Sequence, residues 1–343
     1  MATHRPKFGL NVNNREPLIA PQSYSLVDLL NAAQAADEAG MDSVWVGDSL
    51  FSKPRFEPIA LLAAISQRTR RVKLGTACMV TATRNPLYLA LEWTTLDHLS
   101  AGRMILGACM GNPDEEGVRR EFEAVGLDYG KRAGIFEEGL AVLRQLWTQG
   151  TANFKGDHYT YQDISFYSGT EHAPLMPVQT PPPIWIVSNP RLILGTKDED
   201  RVRRVIERVA RRVAQYGDGW MACCRSRHPE ELRIQKEGIL HQFEKAGRNA
   251  DDFIVSYQVT MNIGESRQQA EHDIGYYISH YYPELSQKMD LAEWGPVGTP
   301  DDIVRWLRNF VEAGVDHFIV RFGAMNQLEQ VARFQRHVLP AFR

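Results

Sequence analysis

"VKLGTACMVTATRNPLYLALEWTTLDHLSAGRMILGACMGN", Val72–Asn112, reads as strand, helix, strand. The first strand is "RVKLGTACMV" over 71–80, and the helix runs over 85–103 with Pro86 in its first turn, where proline is tolerated. Met104-Ile105-Leu106 is apolar on both faces, the mark of a parallel strand covered by helices. Its far end then fills with Gly107, Ala108, Cys109 and Gly111. Small residues at a strand end let a flat group approach the backbone closely.

The same alternation continues in both directions. Strands are expected at 7–12, 43–48, 71–80, from 104 onward, and at 181–189, 218–224, 253–264 and 317–323. Helices fall between them, at 25–40, 56–69, 85–103, 132–149, 200–217, 228–247, 266–282 and 299–316. Gly40 closes the first helix as a C-cap, and Thr299-Pro300-Asp301-Asp302 gives the last an N-cap and an acidic first turn. Eight strands alternating with helices, with no central linker, favour an α/β fold of the (β/α)8 TIM barrel type over two doubly wound halves. Residues 1–343 are read as one barrel domain with insertions at about 150–181 and 283–298, the first holding a hairpin pattern in "NFKGDHYTYQDISF". Active sites of such barrels lie at the C-terminal strand ends. That selects Asn11, Asn13, Asp48, Ser49, Thr76 to Met79, Cys109 to Asn112, Ser188, Asn189, Cys223 to Arg225 and Arg321 to Gly323.

A net charge of -3 over 343 residues, with 43% hydrophobic and 24% charged, is ordinary for a soluble protein. It gives no reason to expect nucleic acid or an anionic membrane as a partner. The four cysteines, Cys78, Cys109, Cys223 and Cys224, have neither disulfide-framework nor zinc spacing, which suits a reducing compartment. "MATHRPKFGLNVNN" lacks a signal-peptide core, and no apolar run reaches the roughly 18 residues of a membrane span. The expected location is cytoplasmic, and no metal is expected.

Several segments then combine in a fixed order: "AADEAGMDSVWVGD", the 72–111 unit, "REFEAVGLDYGKR", "LRQLWTQG", "FKGDHYTYQD", "PPPIWIVSN", "YGDGW" and "VGTPDDIVRWLRNFVEAGVDHFIVRFG". Over nearly the whole chain this series resembles the luciferase-like flavin-dependent oxidoreductases, the family of bacterial luciferase, alkanesulfonate monooxygenase and pyrimidine monooxygenase. The resemblance implies a barrel that holds reduced flavin edge-on at its strand ends. In many relatives a non-proline cis peptide after the third strand supports the ring; here it would fall at Ala77-Cys78 or Cys78-Met79. The implied reaction uses reduced FMN and dioxygen to oxygenate a small organic substrate. A separate flavin reductase would supply the cofactor, because no GxGxxG unit is present, and the assembly would be a homodimer or homotetramer. The alternatives are hydride transfer with the 8-hydroxy-5-deazaflavin coenzyme and a non-catalytic flavin-binding relative.

The resemblance also assigns residues. Cys109 matches a thiol beside the reactive flavin carbon of bacterial luciferase, although a small buried residue that only packs is an equal reading. Ala77 and Cys78 go against the ring, with Asn112 among the cofactor contacts. Arg132, Ser188, Asn189 and Arg191 go toward the ribityl phosphate, although Met110 replaces a phosphate-binding arginine. Asp48 is either a ring or substrate contact or a strand-end carboxylate bonded to a loop amide. Ser49 stands where luciferase and the deazaflavin dehydrogenases carry histidine. Serine is no base near neutral pH without help, which argues against a simple deazaflavin alcohol dehydrogenase and against a luciferase-type base. The catalytic candidates are Cys109, Ser49 and Arg321. The arginines of 200–217 read mainly as a solvated face opposite Val202, Val205, Val209 and Val213. Tyr159, Tyr161, Phe166 and Tyr167 either wall a pocket or pack the insertion onto the barrel.

Overall fold

A computed structural model of the chain describes residues 5–22, 24–112, 116–166, 173–189, 199–223, 228–282, 295–325 and 327–343. Eight parallel strands close on themselves: β1 (Lys7–Val12), β2 (Ser43–Val46), β3 (Lys73–Thr76), β4 (Met104–Cys109), β5 (Ile184–Ile186), β6 (Gly219–Cys223), β7 (Ile254–Ile263) and β8 (His317–Phe322). Each pairs with the next in chain order, and β8 returns to β1 with Lys7 opposite His317 and Leu10 opposite Val320. Nearly every strand residue is buried, as a parallel sheet with both faces covered requires. The expected barrel is thus the observed one.

The helices between strands are set by their caps. Helix α1 (Leu26–Glu38) opens on a capping box in which Ser25 and Asp28 bond each other, and Gly40 beyond its end adopts φ +77°, the left-handed region glycine occupies freely. Helix α2 spans Pro58–Arg68, and α3 (Pro86–Leu99) opens on Asn85, whose side chain accepts from the Leu87 amide at 2.9 Å. Helices α4 (Arg132–Gln149), α5 (Glu199–Tyr216), α6 (Pro229–Lys245), α7 (Pro300–Glu312) and α8 (Gln327–His337) complete the outer ring. The Thr299 hydroxyl and Asp302 close the expected box at the start of α7 at 2.9 Å. No helix among the described residues is long and apolar enough to cross a membrane.

Apolar packing is divided by the sheet. Outside it, strands and helices share one large cluster; inside, Trp45, Ala77, Ile105, Trp185, Met221 and Ile319 fill the barrel, with Trp45 and Trp185 5.0 Å apart. At the N-terminal end a cavity of about 310 Å³ is bordered by Asp42, Asp218, Asp316 and His317. The three aspartates there accept the Phe8, Ile184 and Val255 amides at 2.8, 2.9 and 2.9 Å, so they fasten the sheet's lower rim. Arg103 does the same work below β4, donating to Ser100, Thr69, Val72 and Ser66.

Two local departures bear on the site. The single strand expected over 71–80 is two pieces: β3 stops at Thr76, and Met79–Val80 pairs instead with Ala108 and Cys109 of β4. Between them the Ala77-Cys78 peptide is cis, at one of the two bonds the family resemblance implied. The insertion forms the expected antiparallel hairpin, Thr151–Lys155 with Thr160–Ser165. Tyr159 and Tyr161 stack at 6.0 Å, and together with Phe166 they pack against the outer cluster, so the packing reading holds for these three. Tyr167, Arg191, Cys224, Arg225 and most of the 283–298 segment lie outside the described residues.

Candidate active site

The end of β4 is small because another backbone lies on it. A Cβ added at Gly107 would sit 1.9 Å from the Thr76 carbonyl oxygen, and the Thr76 hydroxyl donates to the Gly107 carbonyl at 3.0 Å. Segments 76–79 and 107–112 are therefore neighbouring walls. Cys78, half-buried, hydrogen-bonds through its thiol to the buried Cys109. That bond, then burial and nearby Asp48, push the Cys78 thiol well above its ordinary range, so it stays protonated. From across the barrel, Gln258 of β7 donates to the Ala77 carbonyl at 3.4 Å.

Asp48 and Ser49 have partners of their own. Asp48 accepts the Val80 amide at 3.0 Å and an Arg84 guanidinium N–H at 3.1 Å, while Arg84 also reaches Glu57 at 3.2 Å. Of the two readings for Asp48, the carboxylate bonded to a loop amide matches this geometry; it clamps the segment after the cis peptide. The Ser49 hydroxyl donates to Glu121 at 2.9 Å and accepts the Lys53 amide at 2.9 Å. The same Glu121 oxygen takes the Phe51 and Ser52 amides at 2.8 and 2.7 Å. Glu121, only 2% exposed, thus ties the 49–53 loop to the helix Glu116–Ala124, and Ser49 serves that tie.

The expected phosphate end gathers on β5 and α4. Ser188 is buried and lies 3.4 Å from an Arg212 N–H; Arg212, 7% exposed, pairs with Glu137 at 2.7 Å. Asn189 donates to the Met221 carbonyl at 3.2 Å, but its Oδ1 is buried with no partner. Arg132 lies over the Tyr129 ring at 4.1 Å and donates to the Tyr129 carbonyl, while its Nε is likewise buried and unpartnered. The Tyr129 hydroxyl in turn donates to the Asn112 carbonyl at 3.3 Å. An orphaned guanidinium N–H is a group that a phosphate oxygen satisfies well. The residues present therefore fit a flavin-type cofactor, with small walls at Ala77 and Cys109 for the ring and free polar atoms at the far end.

Arg321 stands on the opposite side of the mouth. It donates to the Thr260 hydroxyl at 2.7 and 3.0 Å and to the Tyr282 hydroxyl at 2.9 Å. Arg15 and Arg55 face the neighbouring Tyr281 ring, at 5.1 and 5.7 Å. Beneath them Glu16 is fully buried, accepting from Asn13 at 2.6 Å and Gln327 at 3.3 Å; burial pushes its carboxyl up to about 8, only partly offset by those bonds and by Arg321. The sequence reading passed over Gln258, Glu121, Arg15 and Arg55, and it counted Arg212 with the solvated arginine face, whereas Arg212 is buried against Glu137 and Ser188. A signal existed for Arg212, which lies three residues after the buried Val209 and so borders the apolar stripe of its helix.

Comparison with known proteins bears on the family and the fold. The chain is 26% identical to an F420-dependent glucose-6-phosphate dehydrogenase of Amycolatopsis mediterranei, over 92% of this chain and 94% of that protein. Its fold is shared with a monooxygenase of Streptomyces bottropensis, at a TM-score of 0.77 and 21% identity, covering 98% of this chain and 100% of the other. A coenzyme F420 dependent tetrahydromethanopterin reductase of Methanopyrus kandleri gives a TM-score of 0.76 at 15% identity, covering 99% and 100%. Residues 7–193, from β1 through the cradle of β3 and β4 to the polar end of β5, match the model of the luciferase-like monooxygenases, and the chain belongs to that family.

Proposed function

We propose that this protein is an oxidoreductase that uses the deazaflavin coenzyme F420 to exchange a hydride with a small organic substrate. This replaces the FMN monooxygenase favoured by the family resemblance alone. One observation carries it: similarity to F420-dependent glucose-6-phosphate dehydrogenases extends over 92% of the chain, well beyond residue 193, where the family match ends. When bound, such a coenzyme supplies two-electron hydride chemistry; the protein supplies orientation and shielding. Ala77, Cys78 and Cys109 would hold the ring, with Gln258 fixing the Ala77 carbonyl. Asn112, Arg132, Ser188 and Asn189 would hold the chain that bears the phosphate, with Arg212 behind Ser188. Ser49 supplies no base, because its hydroxyl is engaged with Glu121. The substrate's proton must therefore be handled elsewhere in the mouth.

That last point also favours a second reading. A simple deazaflavin alcohol dehydrogenase would keep a histidine at position 49, so the alternative is an FMN monooxygenase that needs no luciferase-type base, served by a separate reductase with dioxygen as co-substrate. Two measurements separate the readings: equilibrium binding of oxidised F420 and FMN followed by fluorescence, and oxygen uptake by the protein with each reduced cofactor. The proposal expects F420 to bind more tightly and the reduced F420 complex to consume no oxygen. Saturable oxygen uptake with reduced FMN, together with no F420 binding, overturns it.

A further inference from the structure

Loops from three strand ends and the helix after β7 bring cations together at one side of the mouth. Arg15 follows β1, Arg55 follows β2, Arg321 ends β8, and the helix Arg267–Tyr281 delivers Tyr277, Tyr281 and Tyr282 between them. All three guanidinium groups lie 5.1 to 5.7 Å from the Tyr281 ring, and Arg321 is also 5.6 Å from that of Tyr282. Lys53 sits 5.4 Å over Tyr282 as well.

The acceptors these arginines have are a carbonyl and hydroxyls rather than carboxylates, and although burial opposes it, Arg321, Arg55 and Lys53 draw the Tyr282 hydroxyl below its ordinary range. Arg15 donates to the Tyr281 carbonyl at 2.9 Å, Arg55 to the Tyr281 hydroxyl at 2.5 Å, and Arg321 to Thr260 and Tyr282. Among the described residues no carboxylate forms an ion pair with Arg15, Arg55 or Arg321. Glu16, whose carboxyl Arg321 influences, is fully buried and stays largely protonated at neutral pH, so it does not compensate them. Arg15 Nε and the Tyr277 hydroxyl are buried with no partner at all. Half-buried guanidinium groups held together without a counter-charge are costly; an oxyanion that accepts their forked N–H groups removes that cost.

The position relates this cluster to the proposed reaction site. Thr260 and Arg321 are register partners, two residues along from Gln258 and Ile319. Gln258 is the residue that reaches the Ala77 carbonyl, so Arg321 lies one inward layer above the ring cradle, about 7 Å along the strand. We propose that Arg15, Arg55 and Arg321 form an oxyanion subsite for the substrate, taking a phosphate or carboxylate group that the substrate carries some bonds away from its reacting carbon. Naming the anion's bearer as the hydride-transfer substrate rests on the preceding proposal; the subsite itself does not.

The test is direct binding by the full-length protein. Inorganic phosphate and, separately, acetate are titrated calorimetrically at constant ionic strength into the wild type, Arg55→Gln and Arg321→Gln, with F420 binding measured in parallel. Saturable one-to-one binding of at least one probe is expected, weakened by roughly tenfold or more in each variant, with F420 affinity unchanged. A preference for phosphate assigns a phosphorylated substrate; a preference for acetate assigns a carboxylate. Should Arg321→Gln fail to fold, Arg55→Gln, on an exterior loop, decides alone. Absence of saturable binding of both probes to the wild type, or an affinity that Arg55→Gln leaves unchanged, overturns the subsite. Failure of F420 to bind the wild type overturns the coenzyme reading and leaves the anion result standing.

Discussion

Replacing Glu16 by glutamine should make the protein relatively more stable as the pH rises, the reverse of the usual effect of removing a buried acid's bonds. Glu16 has no exposed surface, and its Oε2 has no hydrogen-bond partner. Burial raises its carboxyl from 4.5 to about 8. Below pH 4.5 the folded and unfolded chains both hold the proton, and the folded state keeps its full stability. Between 4.5 and about 8 the unfolded chain releases the proton that the folded chain retains, so stability falls by about 1.4 kcal/mol for each pH unit. Across that interval the loss reaches on the order of 4–5 kcal/mol. Glutamine keeps the acceptor used by Asn13 and Gln327 and does not titrate. Urea unfolding of both proteins at pH 5 and pH 8 measures the effect as a double difference, free of any fixed cost of the substitution. A double difference near zero, or one that favours the wild type at pH 8, refutes the reasoning. Glu16 would then be ionised in the folded protein and paired with Arg321, and the arginine cluster would lose much of its uncompensated charge.

Three further outcomes follow from the geometry. Gly107→Ala should cost about 1–3 kcal/mol in denaturant unfolding and weaken cofactor binding by roughly tenfold or more, because the new Cβ meets the Thr76 carbonyl at 1.9 Å; an unchanged affinity in a fluorescence titration would show that the two walls do not shape the site. Arg103→Lys should lower stability by about 2–3 kcal/mol in the same unfolding assay, since an ammonium cannot reach the four residues the guanidinium bridges. Cys78 should react with a disulfide reagent near neutral pH at least roughly tenfold more slowly than a free thiol despite its partial exposure, because its hydrogen bond to Cys109 holds it protonated; modification at the free-thiol rate, read by mass spectrometry, would contradict this.

The barrel was legible because it is a local pattern repeated eight times. Each strand carries an apolar run, and Gly40, Pro86 and the Thr299–Asp302 start do in the structure what their positions promise. Small residues at the end of β4 were legible too, but their immediate cause was not. Gly107 is required by the Thr76 carbonyl of the preceding strand, a contact between residues 31 apart that no spacing rule contains. Asp48 and Ser49 looked chemical because they stand at a strand end. Their partners, Val80 and Arg84 for one and Glu121 for the other, come from segments remote in sequence. A carboxylate or hydroxyl at a barrel rim is therefore ambiguous until its bonding is known.

The same distinction divides the mouth into two halves. The β3–β5 side is built by strand ends, whose positions are dictated by sheet register, and it is there that the family resemblance assigns most of its residues. Opposite it, Arg15, Arg55 and Tyr281 sit on connections whose lengths and courses register does not control, and only Arg321 is carried by a strand. Sequence reading found Arg321 for that reason and missed the two arginines that share its tyrosines. If the cluster binds an oxyanion, selectivity for substrate lies on the half of the barrel that the family pattern describes least. The cradle could then stay constant among relatives while the charged rim changes what is brought to it, and a screen for this protein's substrate is best begun with phosphorylated and carboxylated alcohols and carbonyls, each paired with its neutral counterpart.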